Sequence, residues 1–261
     1  MPTILYLGRS DLKGYGLRDP DNAWPLVLQR QLEEQTGLEI VTERRTLRME
    51  GDPTEYIRNA CSEARPDVVV ILLTAYDFAV ARVQDRLTQR VGKRFGDFAR
   101  TVEVKTSPSD PRKKPSVLHR AIRRAARSFF GTAPMRTRAD VVRTIDRAFS
   151  VLAGQEGVPV VVMYIVPGRG LSEQNPNYPI AAAQFSAEFQ AKAAARHFIW
   201  SDTNVNDSGH GHRLGDGIHP TERGHEIIAG EMFDAVLAAL TEVYPELGRM
   251  APLRTPLQST R

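Results

Sequence analysis

The chain has 261 residues, 41% of them hydrophobic and 25% charged, with a formal net charge of +4. This length and composition predict one domain with a large core. No apolar run approaches the ~20 residues that a bilayer-spanning helix needs, and the N-terminus lacks the pattern of a secretory signal. The single cysteine, Cys61, excludes an intrachain disulfide framework and fits a reducing compartment, so we expect a cytoplasmic protein.

The first predicted element is a buried parallel strand, because the apolar residues 4–7 end at Gly8. Ligands of open α/β sheets lie at the carboxyl ends of the strands, so Ser10 would stand at the mouth of a crevice. Two interpretations of Ser10 are open from this stretch alone. The serine caps the helix that follows, as serine commonly does, or it carries chemistry at the crevice.

Helix and strand patterns then alternate, with elements predicted at 22–35, 38–42, 56–60 and 66–73. The segment 66–73 is continuous and rich in β-branched residues, which is typical of a central parallel strand.

A strongly basic segment follows at 93–147, with 15 Lys and Arg against 5 Asp and Glu. Its net charge of +10 leaves −6 for the rest of the chain. The stretch 106–111 predicts an exposed loop and 115–130 a helix with interspersed arginines. Three interpretations stay open: a solvated helix packed against the body, a lid over the active site, or a patch for an anionic partner. The segment does not interleave aromatic residues as a nucleic-acid groove does, so no nucleic-acid partner is expected.

The remaining pattern predicts helices at 139–152 and 180–195 and strands at 158–164 and 197–200. A last helix, which Thr221 can cap, runs through 227–240. Helices between near-continuous apolar strands indicate a doubly wound α/β sandwich. We therefore expect a single domain over 1–248, with a basic helical insertion at about 93–147 and a loose tail at 249–261.

A second chemical feature lies near the end of the chain, where Asp216 precedes His219 by three residues across a glycine. The carboxylate can fold back onto imidazole Nδ1, which leaves Nε2 free to take a proton from a hydroxyl. Serine needs such a base to act as a nucleophile at neutral pH. Ser10, His219 and Asp216 together supply the three roles of a serine hydrolase.

These two stretches resemble the first and last blocks of the SGNH (GDSL-type) family of esterases and lipases. The residues that match in type and spacing are Gly8, Ser10, Gly14, Tyr15, Gly16, Asp216, Gly217, His219 and Pro220. The opening block also departs from the family, since Arg9 stands where Asp is usual and Asp11 where Leu is usual.

The resemblance implies a flavodoxin-like three-layer α/β sandwich with a five-stranded parallel sheet in the order 2-1-3-4-5. It also implies an oxyanion hole made by the backbone amides of Ser10 and Gly51. The family's third donor is an asparagine, and Tyr76 stands in its place, with Thr74 in place of a glycine. A tyrosine hydroxyl can donate a hydrogen bond, although its reach differs from that of asparagine.

We therefore expect a cofactor-free serine hydrolase that cleaves small-molecule carboxylic esters through an acyl-enzyme. An acyltransferase or deacetylase would use the same triad. A binding module that keeps the fold without the chemistry is a further alternative, because Arg9, Asp11 and Tyr76 depart from the family pattern.

A metal site is the last alternative, since four histidines and an aspartate lie close together in sequence: His210, His212, Asp216, His219 and His225. The triad explains Asp216 and His219 without a metal.

Overall fold

The computed structural model describes residues 1–47, 52–74, 81–95, 97, 101, 117–130, 133–134, 136–165, 178–204, 212–215 and 218–250. Its strands are β1 Thr3–Gly8, β2 Val41–Thr46, β3 Val68–Leu73, β4 Ala81–Arg82, β5 Ala133–Pro134, β6 Val160–Ile165 and β7 Ile199–Thr203. Its α-helices are α1 Trp24–Thr36, α2 Thr54–Ala64, α3 Val83–Val91, α4 Val117–Phe130, α5 Arg138–Ala153, α6 Tyr178–Ala194, α7 Glu222–Val243 and α8 Leu247–Met250. Two short 3₁₀ helices cover Ser10–Lys13 and Pro20–Asn22.

A parallel sheet of five described strands, in the order β2-β1-β3-β6-β7, forms the centre of the molecule. In β1 and β3, Ile4 lies beside Val68 and Leu7 beside Ile71. Numbered within the sheet alone, this is the order 2-1-3-4-5, and it confirms the predicted flavodoxin-like architecture.

The side chains of β1 alternate between the two faces of the sheet, as the period of a strand requires. Leu5 and Leu7 belong to the core cluster that α2, α5 and α6 cover. Ile4 and Tyr6 belong to the cluster on the opposite face, beneath α1 and α7. Both faces of the strand are therefore buried, which explains its continuous apolar sequence.

The edge strand β2 begins three residues later than predicted, at Val41 instead of Leu38. Side chains of α1 hold the preceding residues away from the sheet, because the Ile40 N–H donates to Glu33 Oε1 at 2.9 Å. The first bond to β1 is made by the Val41 N–H, which donates to the Pro2 carbonyl at 2.8 Å.

The opposite edge strand, β7, also begins later than predicted, at Ile199 instead of His197. His197 has a φ of 59° and lies in the left-handed region, which no strand residue adopts. The Phe198 N–H returns to the Ala193 carbonyl at 3.0 Å. The chain thus completes a turn after α6 before it can enter the sheet.

Residues 81–134, here called the basic unit, include described elements that pack on one another outside the five-stranded sheet. Strands β4 and β5 pair antiparallel, and α3 packs against α4 and β5. None of the described residues of this unit belongs to either core cluster of the sheet. The last part of the predicted insertion, 138–147, lies instead in α5, whose Val141 and Ile145 are buried in the core.

The described helices include none that is both long enough and apolar enough to cross a bilayer.

Candidate active site

The end of β1, just before Ser10, is packed so closely that only glycine fits at position 8. A Cβ at Gly8 would lie 2.9 Å from Leu72 Cβ and 3.0 Å from Leu12 Cδ1, closer than side chains approach. The chain then turns into the 3₁₀ helix, whose Leu12 is buried beneath the sheet edge. Ser10 is therefore fixed at the carboxyl end of a central strand.

Gly14 closes this turn in the left-handed conformation, with a φ of 66°. Glycine adopts that conformation without steric cost. The Gly14 N–H donates to the Asp11 carbonyl at 3.4 Å, and the Tyr15 N–H donates to the Ser10 carbonyl at the same distance. These bonds bring Tyr15 back over the serine.

His219 lies on a loop whose two sides are joined by backbone hydrogen bonds. The Leu214 N–H donates to the His219 carbonyl at 2.8 Å, and the Thr221 N–H donates to the His212 carbonyl at 2.9 Å. Two residues after His219, Thr221 caps α7 by accepting a bond from the Gly224 N–H at 3.2 Å. The backbone around His219 is thus anchored to the start of a long buried helix.

Ser10 Oγ lies 2.9 Å from His219 Nε2, although 209 positions separate the two residues in the sequence. This distance is a hydrogen bond, in the range that nucleophile and general base require. Arg9 occupies the N-cap position of the 3₁₀ helix, so Ser10 is not its cap. The predicted pair of side chains is therefore assembled by the fold.

The aromatic ring of Tyr15 lies against the imidazole of His219. The two ring centroids are 4.5 Å apart with planes inclined by 46°, and the tyrosine is 51% exposed. The ring of Tyr15 therefore packs against the side chain that contacts Ser10.

A second histidine, His225, lies buried below the site in the first turns of α7. Its Nδ1 accepts a bond from the Trp24 N–H at 3.1 Å, at the beginning of α1, where Ala23 offers no side-chain cap. Burial, and secondarily the charge of His219, lowers the pKa of His225 to about 4. The neutral imidazole therefore joins α1 to α7 under the loop that carries His219.

A small cleft, with room for about one water molecule, lies between the ends of β1 and β3 and the helix α5. Gly8, Arg9 and Thr74 line it together with apolar side chains that are almost fully buried: Leu47, Leu72, Leu73, Val141 and Ile145. In this form the cleft is too small for the hydrocarbon part of a bound molecule.

The sequence profile of the GDSL-like Lipase/Acylhydrolase family matches residues 7–227, a span that contains both Ser10 and His219. The chain belongs to this family. The match covers most of the chain, and it confirms the resemblance that the two sequence blocks indicate.

Several solved structures share the fold at low sequence identity. TesA is 18% identical with a TM-score of 0.52, over 91% of this chain and 99% of its own. A carbohydrate acetylesterase family member from Sinorhizobium meliloti is 14% identical with a TM-score of 0.53, over 92% and 99%. The esterase EstA from Pseudoalteromonas sp., solved with monoethylphosphonate as inhibitor, is 16% identical with a TM-score of 0.51, over 92% and 100%. No match is found among curated protein sequences.

Of the predicted site residues of this GDSL-family chain, the structure brings Ser10 and His219 together. Asp216, Gly51 and Tyr76 lie outside the described residues. The same is true of His210, one of the histidines of the metal alternative. Where side chains are described, no group of three or more His, Cys, Asp or Glu could hold a metal ion.

Two neighbours of the site were not predicted as functional residues. Tyr15 belongs to the Gly-Tyr-Gly turn of the opening block, and this position so soon after Ser10 was the available signal. His225 lies six residues after His219 and was considered only as a metal ligand. Its bond to the Trp24 N–H joins two helices about 200 residues apart, which no local pattern indicates.

Proposed function

We propose that this GDSL-family chain hydrolyses carboxylic esters through Ser10, His219 and Asp216. The observation that carries the proposal is the 2.9 Å contact between Ser10 Oγ and His219 Nε2. A serine hydroxyl becomes an effective nucleophile when an imidazole within hydrogen-bond reach accepts its proton.

In the proposed reaction Ser10 Oγ attacks the ester carbonyl carbon while His219 Nε2 takes the hydroxyl proton. His219 then gives that proton to the leaving alcohol, and an acyl-enzyme forms on Ser10. A water molecule repeats the sequence and releases the acid. Asp216 would accept a bond from His219 Nδ1–H, which fixes the tautomer that leaves Nε2 as acceptor.

The negative charge on the carbonyl oxygen would be stabilised by the backbone amides of Ser10 and Gly51. Tyr76 is the proposed third donor, in the place that asparagine holds in the family. Donors that are fixed in this way act mainly in the transition state.

A neighbour in fold belongs to a carbohydrate acetylesterase family, so acetyl esters are suitable first substrates. An acyltransferase or deacetylase using the same residues is the alternative within this chemistry.

Covalent labelling tests the proposal directly. A fluorophosphonate probe should form an adduct that peptide mapping locates on Ser10, and His219→Ala should slow labelling strongly because the base is lost. The esterase EstA, which is similar in fold, was solved with a phosphonate inhibitor.

The matched control is Ser62→Ala, which removes an exposed serine of α2 and should label as the wild type does. A folded protein that stays unlabelled would instead support a binding module. If the unlabelled protein, given an ester substrate, passes the acyl group to an added alcohol in preference to water, the activity is acyl transfer.

A further inference from the structure

The basic unit exposes large apolar side chains although the described residues give it almost no core. Its exposed residues are Val91 at 53%, Phe95 at 58%, Val117 at 73% and Phe129 at 84%. These are half of the large hydrophobic residues that the described chain exposes. The only buried side chain in the helices α3 and α4, where described, is that of Gln84. Exposed apolar surface of this kind marks an interaction site.

The helix α4 has an exposed surface that is mostly apolar. The described side chains that are exposed recur along the whole helix: Val117, Ala121, Arg124, Ala125, Ser128 and Phe129. Apart from Arg124 and Ser128 they are apolar. The helix sequence also carries four arginines and no acidic residue. An apolar exposed surface beside arginines is typical of helices that lie in the interface of a membrane.

The charge of the basic unit differs in sign from that of the rest of the chain. Residues 81–134 hold fourteen Lys and Arg against four Asp and Glu, a net of +10, whereas the remaining residues sum to −6. From Asp110 to the end of the unit at Pro134 there are seven basic residues and no further acidic one. Such a segment is attracted to a negative surface and holds the rest of the molecule away from it.

The arginines just after this unit form ion pairs with carboxylates of the body. Arg138 lies 2.6 Å from Glu188, and Arg147 lies 2.9 Å from Asp52. They therefore serve as matched controls for the arginines of the unit.

We propose that the basic unit docks the protein on the surface of an anionic phospholipid bilayer. Phe95, Val117 and Phe129 enter the headgroup region, and the surrounding Lys and Arg bind the lipid phosphates. A nucleic acid would use the positive charge but would leave exposed valines such as Val91 and Val117 without a favourable contact. The docking is independent of the proposed hydrolysis, so either can fail without the other.

Co-sedimentation with vesicles tests the docking on the full chain. Vesicles of phosphatidylcholine with added phosphatidylglycerol should bind the protein at low salt, whereas pure phosphatidylcholine should not. Raising the salt to about 1 M shortens the screening length to ~3 Å and should release most of the bound protein.

Two variants separate the apolar and the charged contributions. Phe95→Ser with Phe129→Ser should weaken partitioning roughly ten-fold or more, because the apolar contact with lipid is lost. Arg123→Gln with Arg124→Gln should weaken it by a similar factor, because each basic residue near a negative surface contributes separately.

The matched controls carry the same changes outside the unit. Tyr56→Ser with Ile180→Ser removes two other exposed apolar residues, and Arg138→Gln with Arg147→Gln removes two ion-paired arginines. Both controls should bind the vesicles as the wild type does. Circular dichroism melts check folding, and Phe129→Ser alone replaces the double variant if that one fails to fold.

Several results would overturn the proposal. Absence of binding to the anionic vesicles at low salt is one, and equal binding to pure phosphatidylcholine is another. Variants that bind as well as their controls would also contradict it. Binding to a single-stranded oligonucleotide but not to vesicles would mean that the partner of the basic unit is a nucleic acid and not a bilayer. The last such result is a wild-type dimer that does not bind vesicles. If the Phe95→Ser, Phe129→Ser variant dissociates that dimer, the apolar surface is an interface with a second copy of the chain.

Discussion

Two phenylalanines twenty residues apart, Phe129 and Phe149, show how the sheet and the basic unit differ. Phe149 of α5 is fully buried and makes edge contacts with Phe189 and Phe198 at 5.8 and 5.3 Å between ring centroids. Phe129 of α4 is 84% exposed. Both belong to predicted amphipathic helices, so apolar periodicity alone does not tell which surface an apolar face meets. The charges around each helix distinguish the two cases. The arginines of α5 are paired with carboxylates of the body, whereas the basic unit has a net charge of +10.

The largest effect expected from this comparison is on stability. Phe149→Ala should lower the free energy of unfolding by about 3–5 kcal/mol, because it leaves a cavity in a packed aromatic cluster. Phe129→Ala should change it by about 0.5 kcal/mol or less, as exposed substitutions do. Urea unfolding of both variants measures the difference. Similar losses would mean that the basic unit shares the cooperative core.

A second effect concerns pH, since the pKa of His225 is about 4 in the folded protein against 6.5 for the free side chain. The unfolded chain binds a proton at His225 between these values and the folded chain does not. Stability contributed by the neutral imidazole is therefore present above pH 6.5 and lost as the pH falls towards 4. The loss from this group should be roughly 2–3 kcal/mol.

His225→Gln should flatten the part of the stability profile between pH 6.5 and 4, measured by urea unfolding at each pH. The control is His197→Asn, at an exposed residue with positive φ, which asparagine tolerates. An unchanged slope in the His225 variant would show that other groups cause the acid loss.

A smaller effect is expected at Tyr15, on activity and not on stability. If its ring favours the imidazolium that forms during catalysis, Tyr15→Ala should lower kcat about two- to five-fold, the size of an exposed cation–π contact. Tyr15→Phe should retain the wild-type rate, because the aromatic face remains. Steady-state kinetics across pH would show this as a change in kcat with little change in KM. A Phe variant as slow as the Ala variant would mean that the hydroxyl matters instead.

Only a small effect on stability is expected when part of the basic unit is removed. Replacing residues 106–131 by a short Gly/Ser linker should leave a cooperative thermal transition and change the free energy of unfolding by less than about 1 kcal/mol, since the described residues there bury little. Esterase assays of the same protein would show whether substrate preference shifts. Loss of the transition would place this segment in the core.

The sheet could be predicted from the sequence where strands are buried on both faces. Strands β3 and β6 differ from their predicted bounds by two residues or fewer at each end, because continuous β-branched runs have no other favourable environment. The edge strands were displaced, since Glu43 and Arg44 in β2 interrupt the apolar pattern. A prediction based on the apolar pattern therefore places this edge strand at 38–42 instead.

The site was predictable in part for a different reason. Ser10 and His219 each lie in a short block whose residue types fix a turn, so their chemistry is visible locally. The contact of His225 with Trp24 arises only when α1 and α7 pack on the same face of the sheet. The role of Arg9, which replaces the family's aspartate and lines the cleft, has no explanation in its sequence neighbourhood.

Kinetics of Ser10→Ala, His219→Ala and the double variant test the central claim most directly, with a chromogenic acetyl ester as substrate. Each single variant should lower kcat by at least about 10³-fold, and the double variant should be little worse, because a nucleophile and its base act as a unit. Unchanged melting curves would show that the loss is chemical. Full activity of purified Ser10→Ala, or multiplicative losses in the double variant, would contradict the account.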